Sequence, residues 1–320
     1  MKKFLFEQYG YYPKEIVDNS FSIDGWRFKL LTVEVGEDIV SSINEYTKTL
    51  NEAFNNKGPY IIKNRLNNNI STLNNVNYIL VCSLEGKMTL NDLIKFYSLF
   101  FNSEEFVELD RILEVWKNRV EEIEQKLNSY LRVDSIYYRN NLDIAVFCLG
   151  LAINAMQYLS DIIYNYDNKM YGCSIVHKRL TDFSVFDILN PFNFIVEHPL
   201  KDICMLYQKE VISFQEFKSF FNYYPLDEKS ATFLMARLLY RADIFDCIEN
   251  KRNLDEGEQQ LNFNFEKEFY KIKKAYSFLK ESAPSISASI SAPQTAIGRR
   301  PTAVRTENLP PTSSGTTNVS

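Results

Sequence analysis

Apolar and polar positions alternate early in the chain, recur at helical spacing through its middle, and lose all order near its end. FSIDGWRFKLLTVEV, residues 21–35, places Asp24-Gly25 between two β-prone runs and predicts a hairpin. Ile39, Ile43, Tyr46, Leu50 and Phe54 then recur at three- and four-residue intervals, predicting one amphipathic helix over 37–56. An Asn-rich stretch, 55–77, reads as loops around a short strand near Tyr60–Lys63. The apolar run from Tyr78 to Ser83 reads as a buried strand.

Beyond residue 87 the period becomes helical. Phe106, Leu109, Leu113, Trp116, Val120, Ile123, Leu127 and Leu131 form one long stripe, and Asn102 and Glu105 are spaced as a capping pair in front of it. Leu142 to Tyr164 is apolar nearly all round, as a central helix should be. Further helical patterns follow near 213–223, 227–249 and 264–281, and Pro199 suits the first turn of another helix. From 282 to 320 the chain is rich in Ser, Thr, Pro and Ala and has no aromatic residue. Such a segment cannot bury enough surface to offset its ordering entropy, so a disordered tail is expected. The resulting division is a β-rich N-lobe over 1–87, a helical C-lobe over 88–281, and the tail. This is an α+β arrangement, with any site expected in the cleft between the lobes.

Composition narrows the function classes. A net charge of −5, without a long Lys/Arg cluster, argues against nucleic acid as a partner. Five scattered cysteines with no CxxC pair point to neither a disulfide framework nor a zinc site. The opening MKKFLFEQYGYY reaches Glu7 after three apolar residues, unlike a secretory leader. The longest apolar run, Ile144 to Ile153, is too short to span a bilayer. Synthesis in a reducing cytoplasm and no membrane span are therefore expected.

Candidate chemistry centres on residues 174–187, which hold His177, one of two histidines in the chain. The order of a strand lobe with one helix, a short hinge, a buried helix, a His-containing loop and then His198-Pro199-x-x-Asp202 resembles the aminoglycoside phosphotransferase and choline kinase-like superfamily. Its nearest likeness is the bacterial spore coat branch, the CotS and YutH proteins. SIVHKRLTDFS (174–184) and FIVEHPLKDIC (194–204) carry the resemblance. It implies a two-lobed protein kinase-like fold and a loop of the form H-x-D-x-x-x-x-N, whose Asp accepts the substrate proton while its Asn holds magnesium. Here Arg179 stands at the Asp position and Ser184 at the Asn position. A guanidinium cannot serve as a general base, and a serine is a poor magnesium ligand. The second metal position falls among Asn190, Pro191 and Phe192, where there is no carboxylate, and Asp187 lies three residues too early. No glycine-rich phosphate loop is present. For Asp202 the resemblance implies a structural role, accepting hydrogen bonds from its helix and from the loop.

The expectation is therefore an inactive kinase-fold protein, a pseudokinase, acting in assembly with other coat proteins and, by resemblance, located in the spore coat. No cofactor, metal or ATP binding is expected. Two alternatives stay open. One is an active phosphotransferase with relocated carboxylates at Asp182 or Asp187. The other is an anion-binding module using Lys178 and Arg179, with Lys29 as a possible ligand contact in the strand lobe. The plainer readings are a loop-supporting His177, a surface His198 at a helix entry, a solvated Lys178-Arg179 pair, an exposed strand face for Lys29, and loop or turn positions for Asp182 and Asp187. Glu37 and Glu45 are conceivable ion-pair partners for Lys29.

Overall fold

A computed structural model describes residues 1–130, 136–250 and 263–282. The tail expected to be disordered lies outside the described residues, apart from its first residue, Ser282. The N-lobe begins with helix α1 (Lys2–Tyr9), followed by strands β1 (Ser20–Ile23) and β2 (Trp26–Thr32) and helix α2 (Glu37–Ala53). Strands β3 (Tyr60–Ile62), β4 (Ile70–Leu73) and β5 (Val76–Leu84) complete an antiparallel sheet. The β1–β2 hairpin turns at Asp24 and Gly25, both at positive φ, as a two-residue hairpin turn requires. Long central β5 pairs with β2 along one edge and with β3 and β4 end to end along the other.

The two faces of this sheet are buried differently. Phe4 and Leu5 of α1 pack with Phe21, Phe28, Leu30 and Leu80 on one face. On the other, Val40 of α2 packs with Ile79 and Val81, and Phe186 from the C-lobe completes this cluster. The N-lobe thus has two helices rather than the single one expected. The missed α1 offers only two buried side chains, too few to write a periodic stripe.

The C-lobe begins at helix α3 (Leu90–Phe100), started by a Thr89/Asp92 capping box. Residues Asn102–Glu108 form strand β6, not the start of a helix, and helix α4 runs from Leu109 to Tyr130. Phe106 therefore sits on a strand. β6 is held by pairing with β7 (Lys169–His177), a partner far along the chain. Helix α5 (Ile136–Asn165) lies between α4 and a later helix, α9 (Glu228–Leu239). Its Asn141–Asn165 portion is long and apolar enough to cross a membrane by composition, but it runs through the main core, with Ala145, Cys148, Ala152, Ala155 and Leu159 fully buried.

After β7 come the short helix α6 (Val185–Leu189), strand β8 (Phe194–Glu197), and helices α7 (Leu200–Gln208) and α8 (Phe214–Phe220). Helices α10 (Ala242–Asn250) and α11 (Phe265–Ser282) follow α9. Antiparallel β6, β7 and β8 make a second small sheet, which delivers His177 to the lobe boundary. Cys82, Cys148, Cys173 and Cys204 are buried free thiols, and Cys247 is exposed.

Candidate functional site

His177 ends β7, fully buried. Its Nδ1 lies 2.5 Å from Oδ2 of Asp202, its Nε2 lies 2.8 Å from the Ile188 carbonyl, and its ring stacks on Phe96. Its backbone N–H donates to the same Asp202 carboxylate, as does the Tyr97 hydroxyl at 3.1 Å. Burial alone would push the Asp202 carboxyl up, but the His177 ring, the Lys201 ammonium and the His177 N–H outweigh it and hold it below the usual carboxylate range. Lys201, also buried, donates to the His177 and Lys178 carbonyls. The pair thus anchors the loop from below and faces no open space.

Arg179 points away from the lobe boundary. Its Nε and Nη2 reach the two carboxylate oxygens of Asp246 on α10 at 2.5 and 2.8 Å, a bidentate pair. Arg119 of α4 shares Asp246 at 2.6 Å and also binds Glu249. The Arg179 backbone is clamped by Asn193, whose amide donates to the Arg179 carbonyl at 2.7 Å and accepts from its N–H at 3.1 Å. Lys178 is exposed and donates to the Phe192 carbonyl. The guanidinium that stood as a possible anion contact is ion-paired with Asp246 on α10.

Ser184 caps α6, accepting from the Asp187 N–H, while its own N–H donates to Asp182 at 2.7 Å. Asp182 and Asp187 face one another, so they are more than isolated loop positions. Burial and the neighbouring Asp182 charge raise the Asp187 carboxyl, against the pull of the Thr181 hydroxyl and Lys29. Burial also works on Asp182, but the Ser184 N–H and hydroxyl, Asp187 and Lys87 prevail and lower it. The two carboxyls are thus driven apart, Asp187 upward and Asp182 downward. Lys29 of β2 reaches across the boundary towards it and lies 5.6 Å above the Phe186 ring. Among the described residues no ion pair joins Lys29 to Glu37 or Glu45; Glu37 instead accepts from Asn69 and Ile70. Nor do any three His, Cys, Asp or Glu side chains there converge as a metal site.

The loop meets the interlobe hinge directly. The Val185 N–H donates to the Gly86 carbonyl at 3.1 Å and the Met88 N–H to the Phe183 carbonyl at 2.7 Å, so the loop pairs with the interlobe hinge as a short antiparallel ladder. Next to it, the Phe186 side chain is only 3% exposed and inserts into the apolar face of the N-lobe sheet. Phe192 packs at the edge of the same cluster.

His198 is buried, not at the surface. Its Nδ1 accepts from the Leu200 N–H at the start of α7, and burial pushes its pKa down to about 4. Folding therefore disfavours its protonation: the contribution is intact above the unfolded-state value near 6.5 and is lost as pH falls from there to about 4. Urea denaturation at pH 7 and pH 4.5 should show wild type losing up to roughly 3 kcal/mol more than His198→Gln over that interval. Parallel losses in both proteins would contradict this placement of His198.

Tyr97, Asp246, Arg119 and Lys201, none singled out by sequence reading, are the partners that fix the loop. Their pairing is non-local and leaves no spacing signal.

The fold is mixed α+β, an antiparallel-sheet N-terminal region and a larger helical part, with a loop anchored by His177 and Asp202 at their boundary. The chain belongs to the family described as "Spore coat putative kinase YutH", which it matches over residues 2–282. Among curated proteins no match is found. Of solved structures, the chain is similar to an aminoglycoside phosphotransferase from Alicyclobacillus acidocaldarius, at 10% identity and a TM-score of 0.48, covering 86% of this chain and 90% of that one. It is also similar to a spectinomycin phosphotransferase in complex with ADP and spectinomycin, at 10% identity and a TM-score of 0.47, covering 85% and 92%.

Proposed function

We propose that this protein is a catalytically inactive kinase-fold component of the spore coat, working by assembly with other coat proteins and not by phosphoryl transfer. The observation that carries this reading is the pairing of residues 183–185 with the hinge, with Phe186 packed against the N-lobe sheet. A nucleotide site needs a concavity with a few convergent polar groups left free. Here the hinge amide and carbonyl are paired with residues 183–185, and Phe186 lies against the sheet. Magnesium-ATP does not fit the residues present: the base position carries Arg179, bound to Asp246, and Ser184 is spent on capping α6. The coat location is taken from the family.

One observation favours an alternative. Asp182, Asp187 and Lys29 lie together at the boundary, as a phosphotransferase with relocated carboxylates would need. Incubation with magnesium-ATP separates the two readings. We expect no rise in Tm and no phosphate release; magnesium-dependent turnover abolished by Asp187→Asn would establish the alternative. Arg179→Asp, which restores an acid at the base position, should also release no phosphate. It should lower Tm, because it sets a carboxylate against Asp246 in place of a bidentate partner.

A further inference from the structure

Between α3, β7, the start of α7 and the loop joining α8 to α9 lies a cavity of about 470 Å³. No Asp, Glu, Lys or Arg lines it, and its wall is largely apolar, built from Ile94, Phe101, Leu200, Tyr224, Pro225 and Leu226. Phe101 and Tyr223, at 46% and 58% exposed, open it to solvent. An apolar cavity of about 150 Å³ is enough for benzene, and ligand pockets run from about 300 to 1,000 Å³, mostly apolar with a few placed polar groups. This hollow has that size and that composition.

His198 supplies the placed polar group. It is only 8% exposed, and it lines the cavity. Its Nδ1 accepts from the Leu200 N–H at 3.2 Å, which fixes the tautomer: the neutral ring carries its proton on Nε2. With its pKa pushed down to about 4, the ring is neutral at pH 7. Nε2–H makes no hydrogen bond among the described residues, and it is not sealed from solvent, so it opens onto the cavity. Buried donors are ordinarily paired, and an unpaired one at the wall of an apolar hollow calls for an acceptor from outside the chain. The Tyr224 hydroxyl likewise has no partner among the described residues, and burial pushes it up to about 12, so it stays a neutral donor. The hydroxyls of Ser98 and Ser230 are already donated, to the Ile94 carbonyl and to Asp227. The wall thus offers neutral donors and no charge to balance an anion.

We propose that this cavity binds a small uncharged aromatic compound bearing a carbonyl oxygen, with Nε2–H of His198 donating to that oxygen. The rings of Phe101 and Tyr224 favour a flat aromatic body, and Ile94, Leu200 and Leu226 supply the rest of its apolar surroundings. An anion would enter without a counter-charge, and a plain hydrocarbon would leave the His198 donor unpaired. No residue of the loop or of the hinge takes part, so the site stands or falls independently of the reading of the interlobe boundary.

The chain holds two histidines, and both ring nitrogens of His177 are engaged in the core, so the ring N–H signal of His198 can be told apart by nitrogen-resolved NMR. Titration of the full chain with acetophenone should saturate and shift the His198 Nε2–H signal while leaving His177 in place. Ethylbenzene, which keeps the ring without the oxygen, and benzoate, which adds a charge, should each bind at least about tenfold more weakly. Ser98→Trp, at an exposed position of α3 that borders the cavity, should keep Tm and lose binding. A titration that does not saturate, a His198 signal that does not move, equal affinity for ethylbenzene or benzoate, or undiminished binding by Ser98→Trp overturns the proposal.

Discussion

Replacing Phe186 by alanine is expected to lower the unfolding free energy by about 3–5 kcal/mol, the range for truncating a fully buried aromatic side chain. The size of the effect follows from where the ring sits. It belongs by sequence to the C-lobe loop, yet it packs against Val40, Ile79 and Val81 of the N-lobe, with the Arg27 and Lys29 cations over its face. Truncation leaves a cavity between two rigid surfaces that can close only by moving one lobe against the other. Phe186→Leu, which retains most of the volume, should lose much less. Urea denaturation measures both, and a loss below about 1 kcal/mol for alanine would mean that the ring is not the packed wedge described here.

Asp202→Ala should be comparably damaging, at about 3–5 kcal/mol, because it removes one partner of a buried charged pair and leaves the others uncompensated. Four donors lose their acceptor together: the His177 ring, the His177 N–H, the Tyr97 hydroxyl and, at longer range, Lys201. His177 and Tyr97 are fully buried in the core, where no water replaces the carboxylate. The expected consequence is a loosened loop from 177 to 193 as well as a lower midpoint. A double-mutant cycle with His177→Ala should show strong coupling, since each residue is the other's main polar contact. Independent, additive losses would contradict the anchoring role.

The sequence made the N-lobe hairpin legible because Asp24-Gly25 is a local turn signal between alternating strands. It made α2 legible because an amphipathic stripe is written within the helix itself. β6 was hidden for the opposite reason. The apolar spacing of Phe106, Leu109 and Leu113 continues a helical period across the strand boundary, and only pairing with Tyr171 and Met170 decides the matter. In the site, the substitution at Arg179 and the position of Asp202 could be read from spacing, since both lie within one short segment. What those groups do could not be read. Asp246 is 67 residues from Arg179, and Tyr97 is 105 from Asp202. Likewise the VFDIL segment is apolar enough to be buried, but nothing in it says that Phe186 crosses to the other lobe. The Asp182–Asp187 pairing was missed because the two residues read as separate loop positions until α6 turns one back onto the other.

The central claim is that residues 183–186 lie against the interlobe hinge and the N-lobe sheet in the resting protein. Residue-resolved amide hydrogen exchange at Val185 and Met88 tests it directly, because these are the two N–H groups that join the loop to the hinge. Both should exchange slowly, and millimolar magnesium-ATP should leave their rates unchanged. Rapid exchange at either amide, or a change in protection when the nucleotide is added, would show a cleft that opens and is used.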